Sequence, residues 1–259
     1  MKKKNFVVIL GVLMIFLLAG CSGDNKSTMS KIEEKGEITY ALTGAYPPFN
    51  YIDESGEIKG FDIDIANALA KKMGLKATAI TTQWDGIIGG LKSKRFDTII
   101  GSMAITEDRL KEVSFTKPYY YDGAQFFAKA DRNYSSISDL EDGEVGVVTG
   151  TTFHNELQKM DNIKEILQFE SDIENFIATS DGRADGLVTS RFVGIQAPEK
   201  YNLVPVGSLL YSEDIAIAVR KEDKDLLENL NKALEEIIED GTYEEISNHW
   251  FGRNILEKE

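Results

Sequence analysis

Strands alternate with helices in two successive series along the 259-residue chain, and this predicts an α/β molecule of two lobes. Three observations carry that prediction. Short apolar or alternating runs are each followed by an amphipathic helical stripe, first over residues 37–102 and again over 144–189. The chain crosses between the series near residues 119–128 and 210–219. No long linker separates the two series, so the crossings predict a hinge with a cleft between lobes, each a mostly parallel sheet flanked by helices.

The first residues belong to neither lobe. Met1-Lys2-Lys3-Lys4 is basic, Phe6 to Gly20 is uncharged and apolar, and the stretch ends in Leu18-Ala19-Gly20-Cys21. That is the pattern of a bacterial lipoprotein signal, with a thiol placed to receive a diacylglycerol. Cleavage would remove residues 1–20 and leave a lipid-modified (palmitate-type) Cys21 as the attachment point to the cell membrane. Two acyl chains hold a protein firmly, whereas one holds it only marginally. Cys21 is the only cysteine, which excludes an intramolecular disulfide and a cysteine metal cluster. Residues 21–34 read as a flexible tether.

The lobes follow in order. Glu37 to Thr43 alternates as a strand with Ile38, Tyr40 and Leu42 on one face, and Tyr46-Pro47-Pro48-Phe49 is a stiff loop presenting aromatics. Phe61 to Met73 carries the stripe Ile65, Ala66, Leu69, Ala70 and Met73, which predicts a helix with Asp62 at its start and Gly74 past its end. Lys76–Thr81 is a strand, Trp84, Ile87, Ile88 and Leu91 mark the next helix, and Thr98–Ser102 is a third strand. Ala124–Ala128 is a strand with no long helix after it. The second series runs Glu144–Thr149 (strand), Thr152–Met160 (helix), Ile163–Phe169 (strand), Ile173–Thr179 (helix) and Ala184–Thr189 (strand, then a helix). Ile215–Val219 alternates as a strand again, a long amphipathic helix spans Leu226 to Ile238 and ends at Gly241, and Tyr243–Trp250 is a shorter helix. The division expected is 35–122 with 216–259 as lobe 1 and 123–215 as lobe 2.

Composition narrows the partners. The formal charge is −14, and loss of the three lysines in residues 1–20 takes it to −17. A chain that acidic is poorly suited to nucleic acid or to adsorption on an anionic membrane surface. Motifs for nucleotide phosphates, zinc hydrolysis or a serine nucleophile are absent from the sequence. His154 and His249 lack ligand-like spacing, so no metal, cofactor or catalytic residue is expected.

The stretch Gly101-Ser102-Met103-Ala104-Ile105-Thr106-Glu107-Asp108-Arg109 is the most informative. A buried strand runs out into small and hydroxyl residues, then turns through Thr106, a good N-cap, into a short helix carrying Arg109. Small residues let a ligand approach the backbone, a helix start offers N–H groups, and arginine offers a two-pronged donor. All three favour an anion.

With these motifs in hand, the chain from about Ile38 to Gly252 resembles the bacterial extracellular solute-binding proteins, family 3, that feed polar amino acids to ABC importers. The resemblance rests on Tyr-Pro-Pro-Phe at 46–49, Gly-Phe-Asp-Ile-Asp-Ile-Ala at 60–66, Trp-Asp-Gly-Ile-Ile at 84–88, the 101–109 segment, Val-Ser-Phe-Thr-Lys-Pro-Tyr at 113–119, Gly-Thr-Thr at 150–152 and Trp-Phe-Gly at 250–252. It implies a type II periplasmic-binding-protein fold, a small-molecule ligand such as an amino acid or related carboxylate, ABC permease subunits as partners, and action as a monomer. Arg109 resembles the arginine that pairs with the ligand carboxylate, helped by Gly101, Ser102, Ala104, Thr151 and Thr152. Tyr46, Phe49 and Trp84 resemble the aromatics around the ligand side chain.

Ser190 departs from the pattern, because the family usually has at that place an aspartate that holds the ligand ammonium. Either another acid serves, with Glu156 and Asp122 as candidates, or α-amino acids bind weakly and Ser190→Asp strengthens them. Two other functions compete with import. One is an enzyme resembling cyclohexadienyl dehydratase on the same fold, and the other is a sensor that reports ligand occupancy to a membrane partner.

Overall fold

Two long strands, β7 (Ser114–Lys129) and β11 (Leu203–Val219), run side by side through the middle of the molecule. A computed structural model describes residues 26–258. The leader and Cys21 lie outside those residues. β7 and β11 pair antiparallel from Leu203↔Lys129 to Val219↔Ser114, with register shifts at residues 206/211, 215/216 and 216/218. To one side lie β6 (Thr98–Ala104), β1 (Glu37–Leu42) and β5 (Lys76–Thr81), and to the other β10 (Gly186–Ser190), β8 (Gly143–Val148) and β9 (Ile163–Phe169). The order across the sheet is β5-β1-β6-β11-β7-β10-β8-β9. Within each outer group the strands are parallel, and helices cover the faces. This is the two-lobed α/β fold of type II binding proteins, with both crossings carried by β7 and β11.

The sequence captured only fragments of the central pair. Pro118, which lacks an N–H for the ladder, breaks the alternation before residue 124, and it is tolerated because it sits opposite Ala216 at a register shift. Residues 203–206 precede the clear alternation of 215–219, and their pairing to β7 is what makes them strand.

Residues 28–34 are not a tether. Thr28–Lys35 is a helix capped by the Ser27 hydroxyl, and Met29 and Ile32 are buried. Only two apolar residues mark that short stripe, too few to distinguish it from a polar linker in sequence. The Tyr46–Phe49 loop is likewise more ordered than expected. It joins β2 (Ala45–Tyr46) to β3 (Asn50–Ile52), and β4 (Ile58–Lys59) completes a small antiparallel sheet. Trp84–Gly86 is a 3₁₀ turn leading into a helix over Ile87–Lys92, and the helix expected over 152–160 ends at Leu157.

One apolar cluster runs from Ile38, Phe61 and Leu69 through Tyr119 and Tyr120 to Phe192 and Leu203, so the crossings are packed and continuous with both lobes. The second lobe adds its own cluster around Phe126, Val145, Val147 and Leu157.

Candidate ligand-binding site

The end of β6 is shaped by a buried carboxylate behind it. Asp62, fully buried at the start of the Phe61–Lys72 helix, accepts hydrogen bonds from the Tyr119 hydroxyl (2.6 Å), Asn50 Nδ2 (2.7 Å) and the Ser102 hydroxyl (2.9 Å). The Ser102 N–H donates to the Tyr119 oxygen at 3.0 Å. These bonds hold Ser102 at φ +62°, a left-handed conformation that non-glycine residues seldom adopt. Burial pushes the Asp62 carboxyl up to about 6, against the pull of its three donors. Asp62→Ala is expected to destabilise the protein by roughly 3 kcal/mol, because buried donors lose their acceptor. Urea unfolding checks this, and a midpoint within error of wild type would remove Asp62 from the account.

Thr106 turns the chain after β6, its hydroxyl accepting the Arg109 N–H at 3.1 Å. Arg109 Nη1 donates to the Ala104 carbonyl at 2.9 Å, and the guanidinium lies 5.3 Å from the centre of the Trp84 ring. Burial lowers the pKa of Arg109, opposed by the charge of Glu213. From the second lobe, the Thr151 hydroxyl accepts from the His154 N–H and donates to the Val148 carbonyl, which sets the start of the Thr152–Leu157 helix. Trp84 Nε1 donates to the Gly150 carbonyl at 3.2 Å, a direct link between lobes.

Several of these groups line one cavity. Of the residues singled out in the sequence, Tyr46, Trp84, Gly101, Ser102, Ala104, Arg109, Thr151 and Thr152 all line it. Phe49 does not. It is fully buried, stacked on Tyr120 with ring centres 4.7 Å apart and meeting Phe61 edge-on at 6.0 Å, so its aromatic ring belongs to the core. Ser190 does not line the cavity either, being fully buried behind Asp122. Its hydroxyl donates to Asp122 Oδ2 and accepts the N–H groups of Phe192 and Val193, which leaves it no capacity for a ligand.

Next to Ser190, however, a carboxylate does reach the cavity. Asp122 lines the cavity with its Oδ1 accepting the Gly123 N–H at 2.7 Å. Arg191 Nε is 3.8 Å from the same oxygen. Burial pushes the Asp122 carboxyl up to about 7, with the Ser190 hydroxyl and Gly123 N–H pulling it down and Glu213 adding to the rise. Glu156, the other candidate, pairs with Lys159 and does not line this cavity.

Sequence reasoning missed two further carboxylates. Asp172 opens the Asp172–Ser180 helix, where an acid looks like ordinary helix-start chemistry; here it is buried, accepts from the Thr189 hydroxyl at 2.6 Å, and is pushed up to about 6 by burial. Glu213 sits opposite Asp122 across the β7–β11 pair and is raised by burial, with Thr152 and Arg109 pulling it back. No sequence signal marked it, since its strand assignment depended on pairing. Both line the cavity. The charges of Asp172, Asp122 and Glu213 all act on the Tyr46 hydroxyl, which burial raises well above its ordinary value.

The architecture and the cavity define a solute-binding protein. The model of the bacterial extracellular solute-binding proteins, family 3, matches residues 38–253, and the chain belongs to that family. It is similar to the L-cystine-binding protein TcyJ of Escherichia coli K12, 30% identical over 254 residues that cover 95% of this chain and 96% of that protein. It is also similar to ABC transporter arginine-binding protein 1 of the same organism, 37% identical over 226 residues, 83% of this chain and 90% of that one. Among solved structures, the ancestral amino acid-binding protein AncCDT-1, a precursor of cyclohexadienyl dehydratase, superposes with a TM-score of 0.82 at 36% identity, covering 87% of this chain and all of the other. These relatives are binding proteins, and the family is extracellular. Among the described residues, no helix is long and apolar enough to cross a membrane.

Proposed function

We propose that this protein captures an α-amino acid between its lobes and presents it to the permease of an ABC importer, acting as a monomer without catalysis. The observation that carries the reading is that Arg109, Ser102 and Thr152 line one cavity whose other charged groups are carboxylates. Arg109 takes the ligand carboxylate as a two-pronged donor, with the Ala104 N–H, Ser102 and Thr152 as helpers. Asp122 takes the ammonium, held in place by Ser190. Tyr46 and Trp84 flank the side chain. Residues 35–122 and 216–259 act as one lobe and 123–215 as the other, and ligand biases them towards closure. The cystine- and arginine-binding relatives support an amino acid as the ligand class.

A thermal-shift screen tests the reading. A true ligand at 100 times its Kd adds about 2.7 kcal/mol to stability, a rise of several degrees in Tm. A flat response to every amino acid would reject it. A dehydratase on this fold needs a general acid facing its substrate, and Asp122 and Asp172, pushed up to about 7 and about 6, are groups of that kind. Prephenate or arogenate turnover, followed by absorbance, distinguishes that reading, and we expect none.

Leu18-Ala19-Gly20-Cys21 supports anchoring through a lipid on Cys21. Cys21→Ser is expected to move the protein from the membrane fraction to the soluble fraction. Persistence of the variant in membranes would reject the anchor.

A further inference from the structure

We infer that the cavity selects an amino acid whose side chain carries a second positive charge, and that Asp172 receives it. The inference rests on the amino-acid reading above and sharpens it. A zwitterionic head group is neutral overall: its carboxylate occupies Arg109 and its ammonium occupies one acid. It therefore leaves the charge surplus of the site unchanged. Three buried carboxylates, Asp122, Asp172 and Glu213, line the cavity with Arg109, and Glu170 stands exposed at its mouth. Glu213 is within reach of the Arg109 charge, and Asp122 has the Arg191 guanidinium 3.8 Å away. Asp172 is held by a neutral hydroxyl, that of Thr189. A buried carboxylate with only neutral donors is costly to ionise, and a ligand cation relieves that cost.

The placement of the acids fits an organic cation. They come from three separate elements, β7, β11 and the start of the Asp172–Ser180 helix. They are not gathered for one ion: among the described residues, no group of three His, Cys, Asp or Glu side chains could hold a metal. Asp122 and Asp172 are tied to consecutive residues of β10, Ser190 and Thr189, which hold the two carboxylates as separate stations. The lining of the same cavity includes Tyr46, Trp84 and Phe153, whose apolar surface suits an alkyl stem and whose rings can face a cation.

Arginine and citrulline are nearly isosteric and differ by that one charge. Calorimetric titration of the mature protein at pH 7.5 with arginine, lysine, citrulline and glutamine is expected to show arginine or lysine binding on the order of 100-fold more tightly than citrulline. Asp172→Asn is expected to reduce the ratio of arginine to citrulline affinity to about tenfold or less. Citrulline or glutamine binding as tightly as the cationic pair would overturn the inference and leave the amino-acid reading standing. A preference that survives Asp172→Asn would overturn the assignment to Asp172. Failure of every amino acid to bind, with the protein folded by circular dichroism, would overturn both readings together.

Discussion

Arg109→Ala is expected to weaken amino-acid binding by roughly 2–5 kcal/mol, about 30-fold to several thousand-fold in Kd. The size follows from the surroundings of the guanidinium. It is pinned by the Ala104 carbonyl, packed near the Trp84 ring and sheltered enough for burial to depress its pKa. A ligand carboxylate that gives up water there without a cation pays its desolvation uncompensated. Glu213 makes the loss larger, because it draws on the Arg109 charge and would face the ligand carboxylate unopposed. Arg109→Lys keeps the charge but loses the fork, so it should recover only part of the affinity. Calorimetry on the two variants checks the order wild type, lysine, alanine. An alanine variant that binds like wild type would make Arg109 a support for the 104–109 turn and nothing more.

Binding is expected to tighten from pH 5 to pH 8, and Asp122→Asn is expected to remove most of that dependence while weakening binding by a further 2–5 kcal/mol. Asp122 and Asp172 are pushed up to about 7 and about 6, so below those values each holds a proton that an arriving ammonium must displace. The groups facing Asp122 are Glu213 from β11, Arg191 and Ser190 from the β10 side, the Gly123 N–H and the Tyr46 hydroxyl. Each linked proton changes affinity by up to about tenfold per pH unit. Stability of the free protein should move in the opposite direction. Both pKa values are raised above the unfolded value of about 4, so between there and pH 7 the native state holds more protons than the unfolded chain. The contribution of these two groups to stability is therefore full below pH 4 and lost as pH rises through 6 to 7. Titrations and melting curves from pH 5 to 8 read both effects. Affinity independent of pH would detach Asp122 and Asp172 from the ligand.

The Arg109 segment was legible because its structure is local. Gly101 to Arg109 carries strand end, cap and arginine within nine residues, and all of it folds as the pattern implied. The acids of the cavity were legible only in part: Asp122 was a candidate from the sequence, whereas Asp172 and Glu213 were not, because their placement depends on pairing. Asp122 and Glu213 face the cavity together only through the β7–β11 ladder, and Asp172 reads as a helix-start acid until Thr189 is placed against it. Ser190 shows the difference most clearly. As a sequence departure it left open either another acid or a missing charge, whereas in the structure its hydroxyl bonds to Asp122. An aspartate there would set two carboxylates against each other in a sealed space, which raises the cost of ionising either. Phe49 erred the other way: an aromatic in a ligand-facing loop is drawn into the core by Phe61, Tyr120 and Phe251.

On the proposed function, Arg109 and the carboxylates of the same cavity grip the two ends of one amino acid between the lobes. Calorimetric titration of the mature protein with arginine and with agmatine, its decarboxylated counterpart, tests it most directly. One arginine per chain, with agmatine weaker by on the order of 100-fold, is the result predicted from loss of the carboxylate partner of Arg109. Equal affinities for the two, or no heat from arginine or any other α-amino acid, would contradict it.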